Sequence, residues 1–567
     1  MIFIWLMACG DGTPSSSQGP QNQPLGPGEQ PVQEAGQPQS DGPPPTPTEA
    51  ERPVPAEERT GENGQIAMSE SLECETPRSG SAPLLELKKN TLPSQESDSW
   101  RSIDSEDPFG HENGAIAVLD FNNDGWDDIV TAMATGIFSY SNNGRGGFEM
   151  RTDWFAGIET ENITGLAAGD YDNDGLTDLY ITQFMASDIL LHNTGEAFKA
   201  VELGISTAKS ISGGASWMDI DADGDLDIFV SSHGAGPEGE FTDKPKLAKA
   251  DKNQLYEFTG SKFRSLTSKL SYGGSEPYTF NGLWVPLDDK PGFDLYLVND
   301  FGAFVTPNLV LSNQGSFKPL ENTGLELEMY GTSGSVSDWN SDGIPDILVS
   351  GIGAPALLIS DNGKWSDKAA EMGIPKDPNR TTSWGAAVVD MDNDGDDDIW
   401  MATGPIFFPE NDGSFPNAGQ QTDGLFIYEN GQFSEASWAP KEAKNSRSAV
   451  AADLNRDGFW DVVVNPIDGP VEVYWGSCDD SGFVDIRLED SKGNKAGLGA
   501  TVTVKSGDTT WTRWMTSGFG FGSSGPNELH FGLGARSKVD SISVTWADGE
   551  QSVFVDIPSK RKLTISR

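Results

Sequence analysis

Asp219-Ile-Asp221-Ala-Asp223-Gly224-Asp225-Leu-Asp227 lies between an apolar run, Gly213-Gly-Ala-Ser-Trp-Met218, and a strand-like run, Ile228-Phe-Val-Ser231. Oxygen-bearing side chains stand at positions 1, 3, 5 and 9, with glycine at 6. In a tight loop alternate side chains converge on one point, and glycine permits the reversal that wraps the chain around it. A hard cation taking roughly six to eight oxygens fits such a cage, and Ca²⁺ tolerates irregular geometry better than Mg²⁺ does.

The pattern recurs with Asp120, Asn122, Asp124 and Asp128; with Asp170, Asp172, Asp174 and Asp178; with Asp338, Asn340, Asp342 and Asp346; with Asp390, Asp392, Asp394 and Asp398; and with Asp453, Asn455, Asp457 and Asp461. Position 6 is glycine each time. Position 7 is Trp126, Leu176, Asp225, Ile344, Asp396 or Phe459, the variety expected where only a backbone carbonyl is a ligand. Asp-Gly turns without metal are the alternative, since both residues favour turns. A turn alone, however, does not require an acid or amide at positions 1, 3 and 9. Up to six Ca²⁺ are therefore expected. EF-hands are excluded: they need a Glu at position 12 between helices, whereas position 12 here is Thr131, Ile181, Val230, Val349, Met401 or Val464, in β-prone runs.

The chain of 567 residues is too long for one core and implies two or three domains with linkers. Its 66 glycines and 10% aromatics favour short strands and turns over long helices. With 87 acidic and 38 basic residues the net charge is −49, the wrong sign for a nucleic-acid partner. Metal-free loops would crowd like charges together, so occupancy should be coupled to folding.

Met1-Ile-Phe-Ile-Trp-Leu6-Met-Ala-Cys9 resembles the end of a bacterial lipoprotein signal, with Cys9 as the lipidated residue; the apolar run is short and no basic residues precede it. Residues 10–69 are rich in Pro, Gln, Gly, Ser and Glu, which predicts a disordered tether. No other run is apolar enough to span a membrane, so any membrane contact is through the anchor.

Within residues 70–478 the first aspartates fall at 120, 170, 219, 338, 390 and 453, a period of about fifty residues with one double gap. The gap hides a seventh unit, Asn281-Gly-Leu-Trp-Val-Pro-Leu-Asp288-Asp-Lys-Pro-Gly-Phe-Asp294-Leu-Tyr-Leu-Val298, read as having a shortened loop and no metal. Residues 234–251 before it read as an insertion. Each unit holds four strand candidates, as in Gly385-Ala-Ala-Val-Val389, Ile399-Trp-Met-Ala402, Leu190-Leu-His-Asn193 and Phe198-Lys-Ala-Val201. Seven units of four strands predict an all-β fold, a seven-bladed β-propeller. The units resemble FG-GAP/VCBS repeats, the Ca²⁺-loop blades of integrin α-subunits and bacterial surface proteins. A ring must close, and Trp100-Arg-Ser-Ile103 is the expected fourth strand of blade seven, whose own segment ends at Val471-Glu-Val-Tyr-Trp475. That closure would bring Cys74 to Cys478, giving a disulfide and an oxidising compartment; two free thiols are the alternative.

From residue 479 to 567 the period disappears. Alternating runs at Val484-Asp-Ile-Arg-Leu488, Thr501-Val-Thr-Val504, Leu529-His-Phe531, Ile542-Ser-Val-Thr-Trp546 and Lys562-Leu-Thr-Ile565 predict a small antiparallel β-sandwich. Gly497-Leu-Gly-Ala500, Gly518-Phe-Gly-Phe521, His530-Phe-Gly-Leu-Gly534 and Val544-Thr-Trp-Ala-Asp-Gly549 resemble the ASPIC/UnbV domain. That family has Asn-Arg where this chain has Asn494-Lys495. The order of the two domains is similar to the cartilage acidic protein family, which implies a secreted or surface, calcium-binding protein.

Among the four histidines, His530 reads as structural, and His111, His192 and His233 lack a paired nucleophile or acid at useful spacing. No nucleophile elbow, P-loop, dinucleotide fingerprint or zinc-protease motif occurs. Phe241, Tyr278, Trp284, Phe407 and Phe408 are blade-packing residues or stacking platforms. The expectation is a non-catalytic, monomeric adhesion or binding protein of the bacterial cell envelope, lipid-anchored and facing the periplasm or the outside, or else secreted. Its partner would be a protein or glycan. An extracellular polysaccharide-acting enzyme and a structural envelope subunit are the alternatives.

Overall fold

Inner strands such as Ser446–Ala452 and Ile163–Gly169 are buried along their whole length. A small antiparallel sheet shows that pattern only when both faces are covered by other sheets. The computed structural model supplies those sheets. It describes residues 55–74, 90–92, 114–133, 136–160, 162–202, 204–205, 211–234, 250–376, 382–405, 421–437, 439–467 and 469–567. Cys9, the lipoprotein-type stretch, His111, Phe241, Phe407 and Phe408 lie outside these residues.

Seven four-stranded sheets occur in chain order, and each inner strand lies against those of the preceding and following blades. The inner strand of blade seven lies against that of blade one, Ile116–Leu119, so the ring is closed. Apolar layers fill the junctions: Leu283, Val285 and Val298 of blade four meet Ile347, Val349 and Trp365 of blade five. Blade seven combines Ser446–Ala452, Asp461–Pro466 and Glu472–Tyr474 with Asn90–Thr91 as its fourth strand. The closing segment is thus N-terminal as expected, but it is Asn90–Thr91; Trp100–Ile103 lies outside the described residues. Cys74 and Cys478 form a disulfide across 404 residues.

The sandwich has two sheets. One orders Glu57–Gly61, Gly64–Met68, Arg561–Ser566, Gly482–Glu489 and Leu529–Gly534; the other orders Thr509–Trp514, Thr501–Ser506, Lys538–Thr545 and Gln551–Pro558. Pairing is antiparallel except between Gly482–Glu489 and Arg561–Ser566, the domain's first and last strands, which run parallel because the chain crosses through the other sheet between them. The hairpin Glu57–Met68 corrects the assignment of residues 10–69 to a linker. Gln65 to Met68 pairs with Leu563 to Ser566, and Ile66 and Met68 are buried in the sandwich core. Apolar burial against a distant strand outweighs the polar composition around it.

The sandwich also enters the propeller. Residues 515–525 enter the central channel and touch the inner strand of every blade. Ser524 exchanges main-chain hydrogen bonds with Ile116 and Val118 of blade one, and Gly522 accepts from Leu166 N of blade two. Ser517 Oγ donates to Trp217 O of blade three, and Thr516 Oγ1 to Trp284 O of blade four. Gly520 N meets Gly334 O of blade five, Phe521 lies 5.0 Å from the Trp384 ring of blade six, and Ser448 Oγ of blade seven donates to Phe521 O. A side chain at Gly522 would place its Cβ 2.4 Å from Thr164 O, and φ there is +56°, so only glycine lets the loop pass. No described helix is long and apolar enough to cross a membrane.

Candidate metal centres

The loops join the inner strand to the second strand of each blade, on the face where the sandwich docks. All seven share a hydrogen-bond scaffold. The closing aspartate (Asp128, Asp178, Asp227, Asp294, Asp346, Asp398 or Asp461) accepts the N–H seven residues earlier, that of Phe121, Tyr171, Ile220, Leu287, Trp339, Met391 or Leu454. Its other oxygen accepts an N–H from the third strand or its end: Asn142, Asn193, Phe258, Asn313, Ser360, Tyr428 or Gly476. In the six acidic loops the first aspartate accepts from the backbone at positions 5 and 6, as Asp219 does from Asp223 and Gly224. Position 4 is left-handed in all six, at Asn123, Asn173, Ala222, Ser341, Asn393 and Arg456, with φ from +55° to +61°. The loop's shape is therefore specified in part by its own backbone hydrogen bonds.

That register corrects the reading of blade four. Its loop is not shortened: Pro286, Asp288, Lys290 and Asp294 occupy positions 1, 3, 5 and 9. Lys290 Nζ lies 2.8 Å from Asp288 Oδ2, and Ser312 Oγ donates to the same oxygen. Burial works against ionisation of Asp288, yet Lys290 and Ser312 hold it below the usual carboxylate range.

The acidic loops have the opposite electrostatics. Burial, reinforced by neighbouring carboxylates, pushes Asp178 and Asp227 up to about 9 and Asp346 to about 7. Asp128, Asp398 and Asp461 are raised well above the ordinary value for the same reasons. At position 1, burial lifts Asp120, Asp170 and Asp338 to about 6 and Asp219 to about 7. Carboxylates so placed are short of positive charge.

The six loops divide by the residue at position 3. Where it is Asp, the oxygens converge: Asp170, Asp172 and Asp174; Asp219, Asp221 and Asp227; and Asp390, Asp392 and Asp398 each offer atoms within 4.8 Å of one another. Where it is Asn, the amide of Asn122, Asn340 or Asn455 donates to the position-5 carboxylate at 3.0 Å, satisfying part of the charge. A dication fits the first group directly, and Asp172 Oδ1 in it is buried without a hydrogen-bond partner. In the second group it would have to displace that amide.

The sandwich contributes cations of its own. Arg487 pairs with Asp127 and Glu528, Arg513 with Asp397 at 2.6 Å, and Lys562 with Asp453 at 3.2 Å and Glu528 at 2.7 Å. His530 bridges Asp485 and Asn393 at 2.6 Å each, the structural role expected of it. A cavity of about 110 Å³ remains beside residues 515–525, walled by the inner strands of blades five to seven; its charged lining, Asp397, Arg513, Glu528 and His530, is spent on those pairs. His233 is buried against Asp300, and Tyr278 and Trp284 are buried packing residues. His192, passed over in the sequence, stands beside Asp172 and Asp178. It comes from the third strand, beyond any loop motif.

Residues 120–181, 170–230 and 338–401 match the FG-GAP-like repeat, and 490–567 match ASPIC and UnbV. No curated protein sequence matches the chain. Similar solved structures include the extracellular domain assigned to a hybrid two component system, BT3049, of B. thetaiotaomicron (11% identity, TM-score 0.38, 78% of this chain and 51% of that one). Another is Saccharomyces cerevisiae Sqt1 (10% identity, TM-score 0.39, 79% of this chain and 97% of that one). The chain spans about half the length of the first. It is a protein of FG-GAP-like repeats, built into a propeller, that ends in an ASPIC and UnbV segment.

Proposed function

We propose that this is a calcium-dependent, non-catalytic binding protein of the cell surface or the extracellular space, using its propeller as a rigid platform. The observation that carries the reading is the convergence of three carboxylates within 4.8 Å in blades two, three and six, in the loop where blade four supplies Lys290. A Ca²⁺ ion would be held by positions 1, 3, 5 and 9 and the position-7 carbonyl, and would supply the charge these loops lack. The Cys74–Cys478 disulfide favours an oxidising compartment. Extracellular calcium modules bind at about 10⁻⁴ to 10⁻³ M, so filling would follow exposure to the outside.

A channel occupied by residues 515–525, with the charged side chains of its remaining cavity committed to ion pairs, favours a platform over a funnel-type active site. With the loop face covered by the sandwich, a protein or glycan partner would meet the opposite face, where Met185 and Phe304 are exposed. Glycan and matrix-protein arrays probed with the full chain, in calcium and in chelator, test the reading. Binding that appears with calcium and fails in chelator supports it; binding unchanged by chelator reduces the ion to a fold stabiliser.

A further inference from the structure

The third strand does more than donate an N–H to the closing aspartate. In blades one to four the residue before that donor also reaches the loop. Ser141 accepts from Asn122, Ser312 donates to Asp288, and Glu257 stands against Asp221. In blades five to seven the same place holds Ile359, Ile427 and Trp475, which bring no ligand. Blade two holds His192. Its Nδ1 lies 3.2 Å from Asp178 Oδ1 and 3.4 Å from Asp172 Oδ2.

We propose that blade two carries a different kind of metal centre, a mixed nitrogen and oxygen site of His192, Asp172 and Asp178 that takes a divalent transition cation of the Zn²⁺ class in preference to Ca²⁺. The proposal rests on the reading of these loops as cation sites but names another ion for one of them. Three observations carry it. The three ligand atoms lie within 4.8 Å of one another, and this is the one such group among the described residues that includes a nitrogen. Tetrahedral Zn²⁺ with bonds of about 2.0–2.1 Å sets its ligands roughly 3.3–3.4 Å apart, the spacing found around Nδ1. Nδ1 and Asp172 Oδ1 are buried atoms that make no hydrogen bond, on side chains 27% and 28% exposed; Asp172 faces Nδ1 with its other oxygen, and Asp178 Oδ1 also accepts the Asn193 N–H at 2.7 Å.

The ion class follows from the donors. Imidazole is a poor ligand for Ca²⁺ and a good one for Zn²⁺. Asp172 is shared with the all-oxygen group of Asp170 and Asp174, so a cation on His192 draws one ligand from the calcium-type arrangement. Blades three and six, whose groups are carboxylates alone, have no such competition.

The test titrates Co²⁺, a spectroscopic stand-in for Zn²⁺, into the full chain in excess Ca²⁺. The expected result is one equivalent bound with tetrahedral ligand-field bands and displaced by Zn²⁺. His192→Ser, the residue blades one and four carry, should weaken that binding more than about tenfold while leaving calcium binding at blades three and six unchanged. X-ray absorption on the Zn²⁺-loaded wild type should show one imidazole ligand, a readout that needs no variant. Co²⁺ binding equal in wild type and His192→Ser, or absorption without imidazole, overturns the proposal and leaves His192 a counterion like Lys290. Co²⁺ binding that depends on His192 in a chain taking no calcium retains this site and removes the calcium reading.

Discussion

Blade four and the other six blades solve one electrostatic problem in two ways. Both kinds fold the same nine-residue loop, closed by an aspartate holding two backbone N–H groups. In blade four the position-5 side chain is Lys290, Asp288 is pulled down, and Asp294, still raised by burial, reaches only about 6. In blade three position 5 is Asp223, and the closing Asp227 is pushed to about 9. The scaffold therefore accepts either charge pattern, and the acidic version carries no position-5 cation of its own. On the proposed reading, a built-in ammonium and a bound dication would be alternative solutions at one place.

Chelation gives the largest effect that comparison predicts. A site held at ten times its Kd contributes about 1.4 kcal/mol, so six filled sites amount to about 8 kcal/mol, a large part of a domain's stability. Thermal melts in calcium and in chelator should differ by many degrees. The pH dependence has a definite sign. Aspartates whose folded pKa is raised stabilise the metal-free fold below the unfolded value near 3.8, and that contribution disappears as pH rises through about 6 to 9. Melting in chelator should fall between pH 5.5 and 8.5, and the gap to the calcium sample should widen. A gap that narrows over that range would mean the loops are not the groups titrating.

Lys562→Met comes next. Lys562 is on the sandwich but reaches Asp453 of the blade-seven loop, Asp485 and Glu528, so it acts there as Lys290 does in blade four. Burial opposes its charge, yet those acids hold its pKa above normal, and Lys562 and Arg487 in turn keep Glu528 well below the usual range against its own burial. Removing one partner from a buried ionic cluster costs about 3–5 kcal/mol. The loss should be smaller in calcium than in chelator, because a dication on the blade-seven loop replaces part of the missing charge. Equal losses in both would separate the docking interface from the metal.

Asp227→Asn should act more locally. The amide still offers one oxygen but removes a charge from the group of Asp219 and Asp221. Isothermal titration should show one calcium fewer, or one site weakened about tenfold or more, with the remaining sites unchanged. Asp294→Asn, the blade-four counterpart, should leave calcium stoichiometry untouched.

The loops were legible because their signal is local: the acidic positions, the glycine at position 6, whose φ of +79° to +111° disfavours other residues, and the flanking strands all fall within one short segment. Repetition then fixed the blade count even where blade four lacks the acids of positions 1 and 5. What escaped depends on residues far apart. Gly518, Gly520 and Gly522 look like any turn until the channel walls are placed around them; a Cβ on Gly518 would come 2.4 Å from that of Ser216. The hairpin Glu57–Met68 has only Ile66 and Met68 to bury, and its partner strand lies at the other end of the chain. His192 and Lys290 were visible as letters but not as roles: the first depends on third-strand register, the second on seeing that Pro286 opens a loop of full length.

Lys290→Gln is the smallest effect and the sharpest probe of the comparison. Lys290 is half-exposed, so its bond to Asp288 is partly screened and the melting point should fall only slightly. Its value lies in the calcium dependence. If blade four has exchanged metal for ammonium, the variant lacks both, because Pro286 at position 1 offers no side-chain oxygen and a neutral amide at position 5 cannot supply a charge. The small loss should therefore be the same in calcium and in chelator. A loss that calcium repairs would show that Asp288, Asp294 and the surrounding carbonyls suffice to hold the ion. The position-1 acid would then be dispensable, and the ligand set assigned to the other six loops would need revision.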